Sequence, residues 1–368
     1  MKLGQKLPFP ASLQVDYDRP NVFHAADIDE FTRPASADEK ASQQRMRPSA
    51  SLFKDGCRRF VHNPVAMTCT VILLLLILII IFAPLIVPYQ FDENLTQETG
   101  DNSYALLAPF AYSDTEKARQ AAGEFVFPHI FGTDDLSRDF FIRVVHGTRV
   151  SLIVGFFASV IVLVIGSIYG AISGYFGGKV DLVMMRIVDV IYSLPDIVII
   201  LLIAALFREQ VSKGNAGALI NTYGSGLVAM FIVFALLYWV GMARLVRGQV
   251  LSLKQQEYVL AARSIGASPA FIIRKHLLPN SMSVIIISAG LQIPSAIFTE
   301  SFLSYLGLGV NAPMASLGSL ASDGQSYIYI PEQSYLLFIP AITICLIVLA
   351  LNLIGDGLRD AFDPRLTR

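Results

Sequence analysis

The sequence predicts an all-α, polytopic membrane protein with six transmembrane helices, and three observations lead there. Charged residues make up only 15% of the chain and apolar residues 54%, whereas a soluble domain carries roughly 25% charged residues. Apolar runs recur at about 65–87, 150–175, 187–207, 227–246, 281–300 and 336–355, each near the roughly twenty residues that a bilayer core requires. Basic residues are concentrated in alternate connections, and the opposite connections are sparser in them. Arg45, Arg47, Lys54, Arg58 and Arg59 precede the first run, and Lys179 and Arg186 lie between the second and third. Arg244, Arg247, Lys254, Arg263, Arg274 and Lys275 lie around the connection after the fourth, and Arg359, Arg365 and Arg368 follow the sixth. Residues 301–335 contain no Lys or Arg. The positive-inside rule then puts both termini and the 248–280 connection in the cytoplasm.

Composition also excludes functions. A net charge of -1 with no long basic run gives no footing for nucleic acid. Cys57, Cys69 and Cys345 are scattered without CxxC spacing, which supports neither a disulfide framework nor a metal site. His24, His62, His129, His146 and His276 are dispersed, and there is no Walker A loop, HExxH or GxSxG. The chain is therefore expected to be no enzyme, to bind no metal and no cofactor, and to hydrolyse no ATP itself.

Taken in order, residues 1–60 form a cytosolic tail. Its Pro-, Ser- and Asp-rich beginning is expected to be disordered. DIDEF at 27–31 is a conceivable docking motif, and a solvated tail is the plainer reading. From Ser51, Lys54, Arg58 and Arg59 alternate with apolar residues as an amphipathic juxtamembrane helix. Residues 61–88 hold the first span, which serves as its own insertion signal. The 89–148 connection is long and acidic, and is expected to be extracytoplasmic, with no role assigned to 92–127.

A five-helix core is expected over 149–356, with a cytoplasmic loop at 248–280, followed by a cytosolic tail 357–368. In the second span Gly166, Gly170 and Gly174 have the small-xxx-small spacing of close helix packing. Asp196, just after Pro195, is the least expected residue inside the third span. It reads either as a pathway residue meeting a substrate amino group or as an acid satisfied locally near a proline kink. Glu300, with Gln292 and Pro294, either lines the same path or serves structure. Gly307 and Gly309 read as a tight bend.

The 248–280 connection has the densest pattern. Tyr258, Ala261, Ala262 and Ile265 recur at i, i+3, i+4, i+7, with Glu257 in the first turn, predicting a short amphipathic helix. Gly266 ends it, Ser268-Pro269 starts a second helix, and Pro279 is expected to stop that one.

Glu257, Ala261-Ala262, Gly266 and the distal Leu278-Pro279 fall on the EAA-loop pattern, and so the chain resembles membrane subunits of ABC importers. Four more stretches resemble the C-type permease of the dipeptide and oligopeptide (peptide/nickel) branch: GTDDLSRD at 132–139, VDLVMMRIVDVIYSLP at 180–195, ESFLSYLGLGV at 300–310 and NLIGDGLRDAFDPRL at 352–366. Ser137 stands where that branch usually has glycine.

The resemblance covers about 60–368. It implies a type I ABC importer (MetI-like) core in a bacterial or archaeal cytoplasmic (inner) membrane, with surrounding lipid and no nucleic acid. It also implies that Glu257, Tyr258, Ala261, Ala262, Arg263, Gly266 and Pro279 couple to the ATPase, and that ATP and Mg sit on partner subunits. Implied partners are a homologous permease in a heterodimer, two ABC ATPase subunits, an extracytoplasmic binding protein or lipoprotein, and a peptide substrate. Nickel chelates or other small solutes, or a non-transporting scaffold, remain alternatives.

Overall fold

The first span begins where Asn63 caps it: its side chain accepts the Val65 and Ala66 amide hydrogens at 3.1 and 3.2 Å, and Pro64 supplies a first-turn residue that has no amide hydrogen to satisfy. The computed structural model describes residues 52–212, 225–307, 309–310 and 314–362. The predicted tail and DIDEF lie outside the described residues. Helix α1 (Leu52–His62) leads into α2 (Pro64–Ile86). Short helices α3 (Leu95–Thr99) and α4 (Asp114–Ala121) precede α5 (Phe140–Phe176), which is followed by α6 (Gly178–Tyr192) and α7 (Asp196–Ser212). Next come α8 (Ser225–Val233), a π turn at Phe234–Tyr238 and α9 (Trp239–Leu253). Then α10 (Glu257–Ser264) and α11 (Pro269–Ile272) lead through a second π turn, Ile273–Leu277, into α12 (Leu278–Tyr305). Helices α13 (Leu317–Gln325) and α14 (Tyr335–Phe362) complete the fold. Among the described residues the only extended pairing is a single bridge between Thr133 and Asp139.

Among the described residues, five helical stretches are long and apolar enough to cross a bilayer: Pro64–Ile86, Phe140–Phe176, Gly226–Leu253, Pro269–Tyr305 and Tyr335–Phe362. The third expected span, 187–207, is not one helix. Helix α6 ends at Tyr192, and α7, of 17 residues, restarts at Asp196. Proline without an amide hydrogen at 195 explains the break. The carbonyl of Pro195 instead accepts from Val198 and Ile199 at 3.1 and 3.2 Å, opening the new helix.

The second span also departs from expectation. Asp139 caps it by accepting from the Ile142 amide at 2.9 Å, so α5 starts ten residues before 150. At 37 residues it is about 55 Å long, well beyond a bilayer core of about 30 Å.

Helices α5, α9 and α12 form the centre. A Cβ at Gly166 would lie 2.6 Å from the Met242 Cβ, one at Gly170 would strike the Ala243 carbonyl, and one at Gly174 would lie 2.9 Å from the Arg247 carbonyl. The glycine stripe thus lets α9 lie directly on α5 within this chain. Across the other side of α5, Ser159 donates to the Ala289 carbonyl of α12 at 2.5 Å.

The 88–139 segment is folded onto the far end of α5 and α14. Tyr335 of α14 donates to the Leu107 carbonyl at 2.7 Å. Helix α4 opens with a reciprocal cap between Ser113 and Glu116.

Candidate coupling site and translocation path

Helix α10 hangs below the ends of α5, α9 and α12. Gly266 has a φ of +83°. Gly266 donates to the Arg263 carbonyl at 3.0 Å and Ala267 to the Ala262 carbonyl at 3.1 Å. This pair of bonds is a Schellman closure, which favours glycine because an L side chain resists that φ. Ser268 caps the next helix through the Phe271 amide at 3.3 Å. Pro279 does not stop that helix. It is the second residue of α12, directly after the π turn, where the wider backbone register absorbs a residue lacking a donor.

The inward face of α10 differs from the predicted stripe. Val259 and Ala262 are buried, in one cluster with Tyr175 of α5, Val250 of α9, Ile272 and Leu277. Tyr258 is 40% exposed and Ile265 85% exposed, and Ala261, Glu257 and Gly266 are exposed as well. Ala262 therefore anchors the helix, whereas Glu257, Tyr258, Ala261 and Ile265 face outward. The Arg263 guanidinium lies 5.4 Å from the centre of the Tyr175 ring. Lys254 donates to the Gly174 carbonyl at 2.8 Å. Tyr175, Phe176, Lys254, Gln255, Leu260 and Arg263 line an open groove of about 480 Å³ beside α10.

The junction is braced from behind. Arg247 of α9 makes a two-pronged pair with Asp181 of α6, its Nη2 at 2.6 Å from Oδ2, and Ser173 of α5 donates to the same carboxylate. The guanidinium beside Asp181 holds its carboxyl below the usual carboxylate range. Helix α10 is thus attached to a unit in which α5, α6 and α9 are tied by charge and packing.

The candidate path residues separate. Asp196 is exposed at the first position of α7, not buried ten residues along a span. Tyr238, in the first π turn, donates to its Oδ2 at 3.3 Å and lies 3.5 Å from the Thr299 hydroxyl of α12. Glu300 faces the other way and is fully buried. It accepts from Ser151 of α5 at 2.7 Å, Ser304 at 2.8 Å and Ser301 at 3.3 Å. Gln292 is half-buried on α12. The structure therefore joins Asp196 to Tyr238 and Thr299, and places Glu300 in a serine-lined contact between α5 and α12.

Sequence reasoning missed a buried polar centre in the 88–139 segment. His129 lies between Asp139, 2.7 Å from Nδ1, and Glu116, 3.2 Å from Nε2, with the Tyr89 ring stacked at 4.5 Å. Burial pulls the His129 pKa down, but the bonds to Asp139 and Glu116 outweigh it and raise the value to about 9. Burial likewise pushes Glu116 up, and His129 with the Ser113 amide brings it below the ordinary carboxylate value. No local sequence pattern marks this centre, because Tyr89, Glu116, His129 and Asp139 come together only on folding.

Residues 163–368 match the family described as binding-protein-dependent transport system inner membrane component, and residues 51–120 match the N-terminal TM domain of oligopeptide transport permease C. The chain belongs to this permease family. Oligopeptide transport system permease protein OppC of Bacillus subtilis is 40% identical over 91% of this chain and 97% of its own length. Dipeptide transport system permease protein DppC of the same organism is 41% identical over 88% of each chain. A chain of the inward-facing methionine ABC transporter MetNI is 20% identical with a TM-score of 0.45, covering 60% of this chain and 97% of that one. The protein is thus a multi-pass inner-membrane permease subunit of an ABC importer, non-catalytic itself, and it works within a complex that supplies the ATPase.

Proposed function

We propose that this permease moves di- and oligopeptides into the cytoplasm and is driven through α10. The observation that carries the coupling reading is the two-faced α10. Val259 and Ala262 bury one face in the permease core, while Glu257, Tyr258, Ala261 and Ile265 present the other to a partner. Arg263, Gly266 and Pro279 set the geometry around that face. ATP and Mg reside on two ABC ATPase subunits docked there. α10 and both termini are cytoplasmic, as the basic connections indicate. A homologous permease completes the membrane-spanning heterodimer, and an extracytoplasmic binding protein or lipoprotein delivers the peptide to the 88–139 side. Asp196, Gln292 and Glu300 are the path candidates, with Asp196 the exposed one.

Coupling works by differential affinity: ATP favours closed ATPases, and closed ATPases favour the outward-facing permease. Moving such an equilibrium from 1:99 to 99:1 needs about 5.5 kcal/mol. The test of the substrate is uptake by the full complex in proteoliposomes, offered dipeptides, longer peptides, a nickel chelate and a glycoside. Peptide uptake that requires ATP is the expected result. Uptake of the chelate or glycoside alone would retain the importer and overturn the peptide assignment.

A further inference from the structure

We infer that Asp196, Tyr238 and Thr299 form a station on the translocation path that receives a protonated primary amine, with the Tyr238 hydroxyl holding its place when no substrate is present. This deepens the proposed peptide function and rests on it.

The depth of Asp196 follows from its partner. Tyr238 lies near the middle of the Gly226–Leu253 span, and its hydroxyl is 3.3 Å from Asp196 Oδ2. An exposed carboxylate at that depth cannot face hydrocarbon, so it faces either a water-filled passage or a partner group. Among the described residues no basic side chain pairs with Asp196. Arg244, which reaches the last turn of α6, is engaged by Asp189 at 2.9 Å and by the Tyr192 ring at 4.5 Å.

The site is built for one positive charge. It lies where α6 stops and α7 restarts, and interrupted helices at mid-depth are where transporters place ligand contacts. The carbonyl end of α6, which favours a cation, and the amide end of α7, which favours an anion, meet at this break; Asp196 answers the latter through Oδ1, which accepts from the Ile197 amide at 2.9 Å, while Oδ2 is turned to Tyr238. A single carboxylate is too few hard ligands for a divalent metal, which takes six or more oxygens or keeps its water. A primary ammonium, with three donors, suits one carboxylate with the Tyr238 and Thr299 hydroxyls beside it.

The Tyr238 hydroxyl has one proton and two acceptors at nearly equal distance, Asp196 Oδ2 at 3.3 Å and Thr299 Oγ1 at 3.5 Å. Thr299 spends its own proton on the Ser295 carbonyl at 2.9 Å, which leaves its oxygen able to accept. An ammonium arriving at Asp196 displaces the phenol, which turns its proton to Thr299. No buried donor is left unpaired in either state. The π turn matters here because its wider register carries Tyr238 to this position.

The experiment uses the reconstituted complex and three peptides: one neutral with a free amino terminus, its N-acetyl derivative, and an N-acetyl derivative carrying one lysine. Uptake is divided by occupancy of the binding protein, measured by direct titration, so that delivery and passage are separated. The wild type is expected to move the free-amine peptide about tenfold faster than the N-acetyl form, the size of one charge-assisted hydrogen bond. A lysine that restores the rate assigns the site to any primary ammonium; one that does not restricts it to the amino terminus. Asp196→Asn is expected to erase the preference and Asp196→Glu to keep it. Tyr238→Phe should lower KM for the free-amine peptide and slow its turnover, a split that a merely structural role would not produce. Transport with the preference intact in Asp196→Asn, or with both constants unchanged in Tyr238→Phe, overturns the inference. If the wild type moves none of the three, the peptide reading falls and this inference with it.

Discussion

At the scale of single residues, His129 and Ser137 show how much chemistry an unremarked connection can hold. The His129 value is raised from 6.5 to about 9 in the fold, which corresponds to about 3 kcal/mol of linkage. Because the folded value lies above the unfolded one, that stability is fully present below about pH 6.5. It is lost as pH rises through about 9. Glu116 works in the opposite direction: its folded value is lowered, so its contribution disappears as pH falls below the ordinary carboxylate range. Protease resistance of the 88–139 segment should therefore hold through mildly acidic pH and decline between about pH 7 and 9. His129→Leu should remove the alkaline decline and lower resistance throughout, since it strands two buried carboxylates at a cost of about 3–5 kcal/mol. An unchanged alkaline decline in that variant would contradict the assignment. Ser137 explains its own departure from the family pattern. Its φ is +57°, where glycine is at ease, and its hydroxyl receives the Thr96 proton at 2.7 Å as compensation. Ser137→Gly should change thermal stability by no more than about 1 kcal/mol, and Ser137→Val should cost at least about 2 kcal/mol. None of this centre was legible in the sequence, because its members are spread from Tyr89 to Asp139 and only folding brings them together.

Elements were legible where local chemistry decided them. Gly266 and Ser268-Pro269 mark the ends of α10 and α11 by backbone conformation and capping alone, and the structure places them there. The buried face of α10 was not legible. Spacing suggested Tyr258, Ala261, Ala262 and Ile265, but the ends of α5 and α9 select Val259 and Ala262, a decision made by tertiary packing. The break at 193–195 was legible only as a kink at Pro195, because apolar residues continue on both sides of it and hydropathy reads one span where the backbone makes two helices. The glycine stripe was legible as a packing signal, and its partner is α9. Gly170→Leu should therefore abolish folding or sharply lower the thermal midpoint of the detergent-solubilised protein, because the new Cβ meets the Ala243 backbone rather than a movable side chain. A normal midpoint would mean that α5 and α9 do not pack in this way.

At the scale of the whole molecule, the proposed coupling works as a lever. The exposed residues of α10 are backed by a buried anchor and by the Arg247–Asp181 bridge, so in the proposed coupling a push on α10 would move α5, α6 and α9 together instead of bending a loop. On the proposed coupling reading, the long helices α5 and α12 would carry that movement to the Asp196–Tyr238 break and to the Glu300 contact with Ser151. Packed interiors are bistable rather than continuously deformable, which favours a switch of the whole unit. The most direct measurement is substrate-stimulated ATP hydrolysis by the reconstituted complex, comparing wild type with Glu257→Lys and Gly266→Arg. Glu257→Lys changes an exposed side chain of α10, so assembly in the membrane should persist while stimulated hydrolysis and uptake are lost; Gly266→Arg also strains the +83° φ of the turn after α10, so its assembly is measured alongside. Stimulation that survives in both variants, with the complex intact, would contradict α10 as the coupling element.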